Sequence, residues 1–255
     1  MTPTGPYLET GIVPVCRFDD SSGVALIRGF YGTAFFISHS GIFLTASHVI
    51  DEATQAVGAQ GGFLGLCGRP PDGGGNVACP ITSFEAAAAP YDISVGTIDA
   101  GFPNILTLGD VPIGVWREVV SYGYPATAQN LSNNEFWMYG RGFKGYVHRE
   151  VKSGQLPGNP HPDAFETSFS MPQGLSGSPL FVYTPSSQIA VGVCVGVTRG
   201  ETTEYMFEEV QANGETHREM RIRVEEYGLA HDLRPLLGWR PSNLGGRSLA
   251  EVAAE

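Results

Sequence analysis

One serine stands between two nearby glycines in Met171-Pro172-Gln173-Gly174-Leu175-Ser176-Gly177-Ser178-Pro179-Leu180. A serine hydroxyl is a poor nucleophile at neutral pH. It needs a base in hydrogen-bond contact, and the base needs an acceptor that orients it. The histidines available as base are His39, His48, His148, His161, His217 and His231. His48 ends the apolar stretch Ile42-Phe43-Leu44-Thr45-Ala46-Ser47-His48 and precedes a helical turn, a position that would hold an imidazole rigidly. His39 belongs to a turn, and His161 lies between prolines. Asp92, in Tyr91-Asp92-Ile93-Ser94-Val95, opens an apolar strand, where a carboxylate is partly desolvated unless paired. The same place suits a plain strand-entry turn residue. Asp99 and Asp110 compete for the role from turn-like contexts beside glycines. Gly174 permits a backbone that turns its N–H toward a substrate oxygen. The N–H groups of Gly174 and Ser176 are the candidate oxyanion hole, an arrangement that stabilises the transition state of acyl transfer. Read by itself, the segment also fits a glycine-serine surface loop.

The elements that must carry these groups read as short strands. Gly (34) and Pro (18) punctuate the whole chain, and that suits an all-β fold with many turns. Residues 24–27 and 32–38 read as two strands. His39-Ser40-Gly41 forms a tight hairpin into 42–46. Residues 49–56 are expected to make one or two helical turns. A long connection follows, punctuated by Gly61-Gly62 and Pro70-Pro71-Asp72-Gly73-Gly74-Gly75, with a short strand or two inside it. Residues 93–98, 118–124, 136–147, 164–168, 180–183 and 189–197 read as further strands. Residues 103–112 link two halves, giving 1–112, 113–240 and a C-terminal tail, 241–255. Residues 220–226 alternate like a partly exposed strand. Residues 229–239 look more helical, with Pro235 near a helix start. Ser248-Leu249-Ala250-Glu251 is a capping-box pattern for a short terminal helix.

The formal charge is −11, from 26 Asp and Glu against 15 Lys and Arg. Such a balance disfavours nucleic acid and anionic membranes as partners, because phosphates would be repelled. No stretch of about 18 apolar residues is present, so no membrane span is expected. The first residues, Met1-Thr2-Pro3-Thr4-Gly5-Pro6-Tyr7, lack the basic start and apolar core of a secretory signal. A cytoplasmic location is the expectation, or secretion if a leader was trimmed. Cys194 falls in a strongly apolar run and is expected to be an inert buried thiol. Cys67 and Cys79 flank the Gly/Pro-rich connection, where a disulfide is possible. In a cytoplasmic setting they and Cys16 are expected to be reduced. No zinc spacing occurs, and neither metal nor organic cofactor is expected.

These segments resemble the chymotrypsin/trypsin-like serine peptidases. His48 comes first, Asp92 follows after 44 residues (92 − 48), and Ser176 after 84 more (176 − 92). Thr45-Ala46-Ser47-His48 is similar to the family's histidine box, Asp92-Ile93 to its aspartate box, and Gly174-Leu175-Ser176-Gly177-Ser178-Pro179 to its nucleophile loop. The resemblance covers residues of about 10–240. Order separates the chain from α/β-hydrolases, which run serine, acid, histidine, and Gly-x-Ser-x-Gly does not occur here. The implied fold is a double six-stranded antiparallel β-barrel with short helices, one near the C-terminus. The implied site is a triad of His48, Asp92 and Ser176 in the cleft between barrels, acting on a peptide or protein substrate.

Animal digestive members carry an aspartate just before the nucleophile, paired with an amine released by cleavage. Here that position is Leu175, and Gly11-Ile12-Val13-Pro14 lacks the usual activation sequence. The pattern resembles bacterial and viral relatives, including the HtrA-type group, and implies no zymogen cleavage there. By the same resemblance Ser170 lies on the floor of the specificity pocket. Val195, Gly196 and Val197 form its wall and pair with substrate backbone, and the residue before the scissile bond is uncharged. Two other readings stand beside this one. One is a catalytically silent or partner-controlled module, in which the extra segment near 200–214 meets a regulatory protein. The other is an esterase that uses the same triad.

Overall fold

The computed structural model describes residues 11–20, 23–68, 76–101, 105–132, 135–156, 160–184, 187–211 and 213–255. The readings made on the first ten residues, on Pro70 to Gly75 and on the start of the 103–112 link fall outside them. The first half is a closed antiparallel barrel in the order β1-β2-β3-β6-β5-β4. Its strands are β1 (Ile12–Asp19), β2 (Leu26–Phe36), β3 (Ile42–Thr45), β4 (Phe63–Gly68), β5 (Val77–Ala86) and β6 (Ser94–Ile98). The two strands read at 24–27 and 32–38 are one strand, β2. Against β1 it carries two extra residues, Tyr31 and Arg28, at the register shifts opposite Val15/Cys16 and Arg17/Phe18, which let a single long strand bend round the barrel. The hairpin between β2 and β3 is as read, with Gly41 at φ 84°.

Helix α1 (Ser47–Gln60) is longer than the expected one or two turns. Val49, Ile50 and Ala53 form its buried face, packed with Val13, Phe36 and Phe43. It stops at Gly61, whose φ of 74° is easy only for glycine.

The connection to the second half holds β7 (Thr107–Leu108). There follow β8 (Glu118–Gly123), a small hairpin of β9 (Gln129–Ser132) and β10 (Glu135–Met138), then β11 (Arg141–Val151), β12 (Ala164–Thr167), β13 (Pro179–Tyr183), β14 (Gln188–Val210) and β15 (Thr216–Asp232). The sheet runs β13-β8-β11-β12-β15-β14-β7, and β13 also pairs with β14. That pairing closes a second antiparallel ring of six strands, while β7 joins β14 in parallel from outside. The helical reading of 229–239 is corrected. Residues through Asp232 continue β15, because β12 and β14 bond it from both sides, and only Arg234–Leu236 form a 3₁₀ turn.

Beyond the barrel, β14 and β15 run on as a two-stranded ribbon whose described residues from 199 to 226 contribute nothing to the buried core. The tail returns to the body. Ser248 and Glu251 form the expected capping box of α2 (Leu249–Val252). Leu244, Leu249 and Val252 are buried in a cluster that also holds Phe35 and Leu44 of the first barrel and Phe181 and Val193 of the second. All four cysteines are buried free thiols. Burial pushes Cys194 to about 11, and burial with the neighbouring Cys79 does the same for Cys67, so both stay protonated and unreactive. Among the described residues no helix is long and apolar enough to cross a membrane.

Candidate active site

His48 is the second residue of α1, where backbone N–H groups have no partner within the helix. The preceding Ala46 has no side chain able to cap them, and Asp92 does so from the loop before β6. One Asp92 oxygen accepts the His48 backbone N–H at 2.9 Å, and the other accepts from Nδ1 of the ring at 2.6 Å. The helix terminus therefore favours the same carboxylate that orients the imidazole. With its Nδ1 proton committed to Asp92, the neutral ring keeps Nε2 free as a base.

Burial lowers the His48 pKa, but the hydrogen bond and charge of Asp92, helped by Glu52 and Asp51, outweigh it, and the net shift is upward from 6.5. Burial raises Asp92, and the hydrogen bonds and charge of His48 outweigh that too, holding the carboxyl below 3.8. Ser47 and Ser94 join hydroxyls at 2.9 Å and tie α1 to β6 beside the pair.

Ser176 comes from the second barrel on a loop fastened to the first. The Thr33 backbone N–H of β2 donates to the Ser176 carbonyl at 2.8 Å, and the Thr33 hydroxyl donates to the Gly174 carbonyl at 2.9 Å. The Gly177 N–H donates to the Cys194 carbonyl at 2.8 Å, so β14 holds the loop's other side. Gly177 has φ 84°, and a side chain there would run into the Thr33 carbonyl, the Thr45 hydroxyl and the Ala46 amide. The loop carrying Ser176 thus packs against the end of β3, three residues before His48. Gly32 is pressed between Val49, the neighbour of His48, and the Ser176 carbonyl: a Cβ there would sit 2.6 Å and 2.8 Å from them.

The peptide between Gln173 and Gly174 has a fixed direction. Its carbonyl accepts the Ala126 N–H at 2.7 Å. Because the peptide is planar and trans, its N–H points the opposite way. Gly174 sits at φ 90°, with Phe30 and the Tyr124 carbonyl against it. Among the described residues, the N–H groups of Gly174 and Ser176 bond no protein acceptor.

The other residues expected in the site are not gathered in one place. Val195 is the extra residue of a bulge in β14, between Cys194 and Gly196, and packs against the first barrel's core. After Val193, β14 pairs only with β15, so the edge at Val195, Gly196 and Val197 is open. Val197 is exposed and, with Asp92, lines a cavity of about 890 Å³ that continues along Thr198 and Arg199. Ser170 is exposed and lies outside that cavity. Among the described residues no group of three or more His, Cys, Asp or Glu side chains is placed to hold a metal.

One residue was missed by sequence reasoning: the buried His231 on β15, whose Nδ1 accepts the Asp92 backbone N–H at 3.1 Å. No local signal set it apart: Glu226 breaks the alternation of 220–226, and only pairing of β15 with β12 and β14 places His231 beside Asp92.

Comparison with known proteins agrees with this fold. The MamO protease domain from Magnetospirillum magneticum, in its apo form, superimposes with a TM-score of 0.54 at 10% identity, over 90% of this chain and 95% of that one. The active form of the Rv3671c protease from M. tuberculosis gives 0.52 at 17% identity, over 97% and 84%. Deg5 gives 0.51 at 17%, over 74% and 81%. At such identities these neighbours establish the fold. A search of curated proteins finds no match. A family profile described as a trypsin-like peptidase domain matches residues 32–193, well over half of the chain and spanning His48, Asp92 and Ser176. With that match on a two-barrel fold, the chain belongs to the trypsin-like peptidase family and is a serine peptidase.

Proposed function

We propose that this peptidase cleaves peptide bonds through a triad of Ser176, His48 and Asp92 and an acyl-enzyme intermediate. Ser176 attacks the scissile carbonyl. His48 takes its proton through Nε2 and returns it to the leaving amine. Asp92 holds the tautomer and favours the imidazolium that forms. The N–H groups of Gly174 and Ser176 receive the developing oxyanion. The observation that carries this reading is the 2.6 Å contact of His48 with Asp92, next to a nucleophile loop held against the same barrel edge.

The open edge of β14 at Val195, Gly196 and Val197 supports binding of extended substrate by strand addition. Ser170, six residues before Ser176, puts no charge at the floor position of the pocket. An uncharged residue before the scissile bond follows, and strict cleavage after Arg or Lys in a peptide library would sink that assignment. Leu175 is buried among Val119, Leu180 and Val182, and Ile12 is already bonded into β1. Both features support an enzyme that needs no amine released by cleavage.

The decisive experiment is labelling with a fluorophosphonate probe. The wild-type chain is expected to react. Ser176→Ala should not label at all, and His48→Ala should label at least about 10³-fold more slowly. Equal labelling of wild type and Ser176→Ala would refute the triad.

A further inference from the structure

We propose that His231 is a positioning residue for Asp92: its unprotonated Nδ1 holds the aspartate's main chain so that both carboxylate oxygens reach His48. The inference rests on the triad described above. A backbone N–H can only donate, so the ring nitrogen that meets it at 3.1 Å can only accept. His231 must therefore be neutral with its proton on Nε2. A second proton on Nδ1 would set two donors against each other and push the Asp92 segment away.

The site is built to keep that form. His231 lies on β15, bonded on one side to Ala164 of β12 and on the other to Val193 of β14, and it is 5% exposed. The barrel wall is thus the rigid part, and the loop carrying Asp92 leans on it. The charged and titratable groups facing this ring are Asp92 from that loop, His48 from α1 and His161 from the β11–β12 connection. Glu166 and Arg149 line the same cavity but pair with each other at 2.8 Å. Burial is the main influence on His231 and takes its pKa down to about 4. His161 and His48 pull the same way, while Asp92 opposes. Asp92 is thereby fixed at both ends, with its carboxylate on the helix terminus and ring of His48 and its amide on a histidine of the second barrel. One residue bridges the two barrels at the point where the reaction needs them in register.

The test compares full-length His231→Leu and His231→Asn. Asparagine places Oδ1 one bond beyond Cγ, where Nδ1 stood, and can still accept. Fluorophosphonate labelling rates are measured against pH, and His48 titration is followed by NMR of the ring. His231→Leu should label about 10-fold or more slowly, and its His48 pKa should fall, because a displaced carboxylate no longer raises it. His231→Asn should recover most of the rate and the His48 titration. Wild-type rate and titration in His231→Leu would overturn the proposal, as would an asparagine variant no better than the leucine one. If His231→Leu does not fold, ring ¹⁵N shifts of the wild type at neutral pH decide the matter. An unprotonated Nδ1 on His231 is required, and a protonated one overturns the proposal. A wild type that never labels would defeat the triad's function while leaving the His231–Asp92–His48 coupling readable by NMR.

Discussion

Asp92 divides its work between two oxygens, one on the backbone of α1 and one on the His48 ring. A carboxylate so placed must stay charged to be useful, and its pKa is held below 3.8 by its His48 contacts. His48, raised above 6.5, is a competent base only once it has lost its proton. The acidic limb of kcat/KM should therefore have its midpoint above pH 6.5. Asp92→Asn removes the charge that raises His48, so the limb should move to lower pH while the rate falls by about 10³–10⁴-fold. A pH–rate profile whose midpoint stays in place in Asp92→Asn would show that Asp92 is not the group acting on His48. The residue scale is also where the sequence said least. Asp92 competed evenly with a plain turn role, because a lone aspartate before a strand looks alike in both cases. What distinguishes it is its contact with an amide 44 residues away.

At the scale of elements, the ribbon of β14 and β15 is set apart from the rest. It lies beyond the residues matched by the family profile. Its ion pairs, Arg218–Glu208, Arg221–Glu204 and Arg223–Glu225, are solvent-exposed, and such pairs contribute little to stability. Along one face run Val197, Val224, Ile222, Met220, Met206 and Val210, each at least 42% exposed. Replacing residues 202–224 with a short glycine turn should leave the melting temperature within about 3 °C, because no core contact is lost. Calorimetry checks this, and loss of a cooperative transition would show that the ribbon supports the barrel. The strand pattern of residues 220–226 was legible from its alternation. The helical reading of the residues after it failed because Leu229, Leu233, Leu236 and Leu237 fall at helix-like intervals. Bonding to β12 and β14 on both sides overrides that local preference.

At the scale of the whole molecule, the buried imidazole of His231 links stability to pH. The folded pKa of His231, about 4, lies below the ordinary 6.5, so the unfolded chain takes up a proton that the folded chain refuses. Stability from this group is complete above pH 6.5 and is lost as pH falls from 6.5 toward 4. The loss is on the order of 2 kcal/mol at pH 5 and 3 kcal/mol below pH 4. His48 has the opposite sign, because its pair with Asp92 contributes fully below 6.5 and fades as pH rises through its folded pKa. The comparison must therefore be between variants. Urea unfolding of wild type and His231→Asn at pH 7 and pH 5 should show wild type losing about 2 kcal/mol more on acidification. Equal losses would mean that His231 is not held neutral in the fold.

The chain's own order of residues determined the β-rich fold class and the terminal capping box. Each is written in neighbouring residues whose chemistry is local. Only the tertiary structure decided that Asp92 caps the helix that carries His48, that Thr33 of one barrel clamps the loop of the other, and that His231 stands behind the aspartate. Those contacts join residues 44 to 143 positions apart (92 − 48 and 176 − 33). Closure of the two barrels sets such distances, and no local run of residues records them.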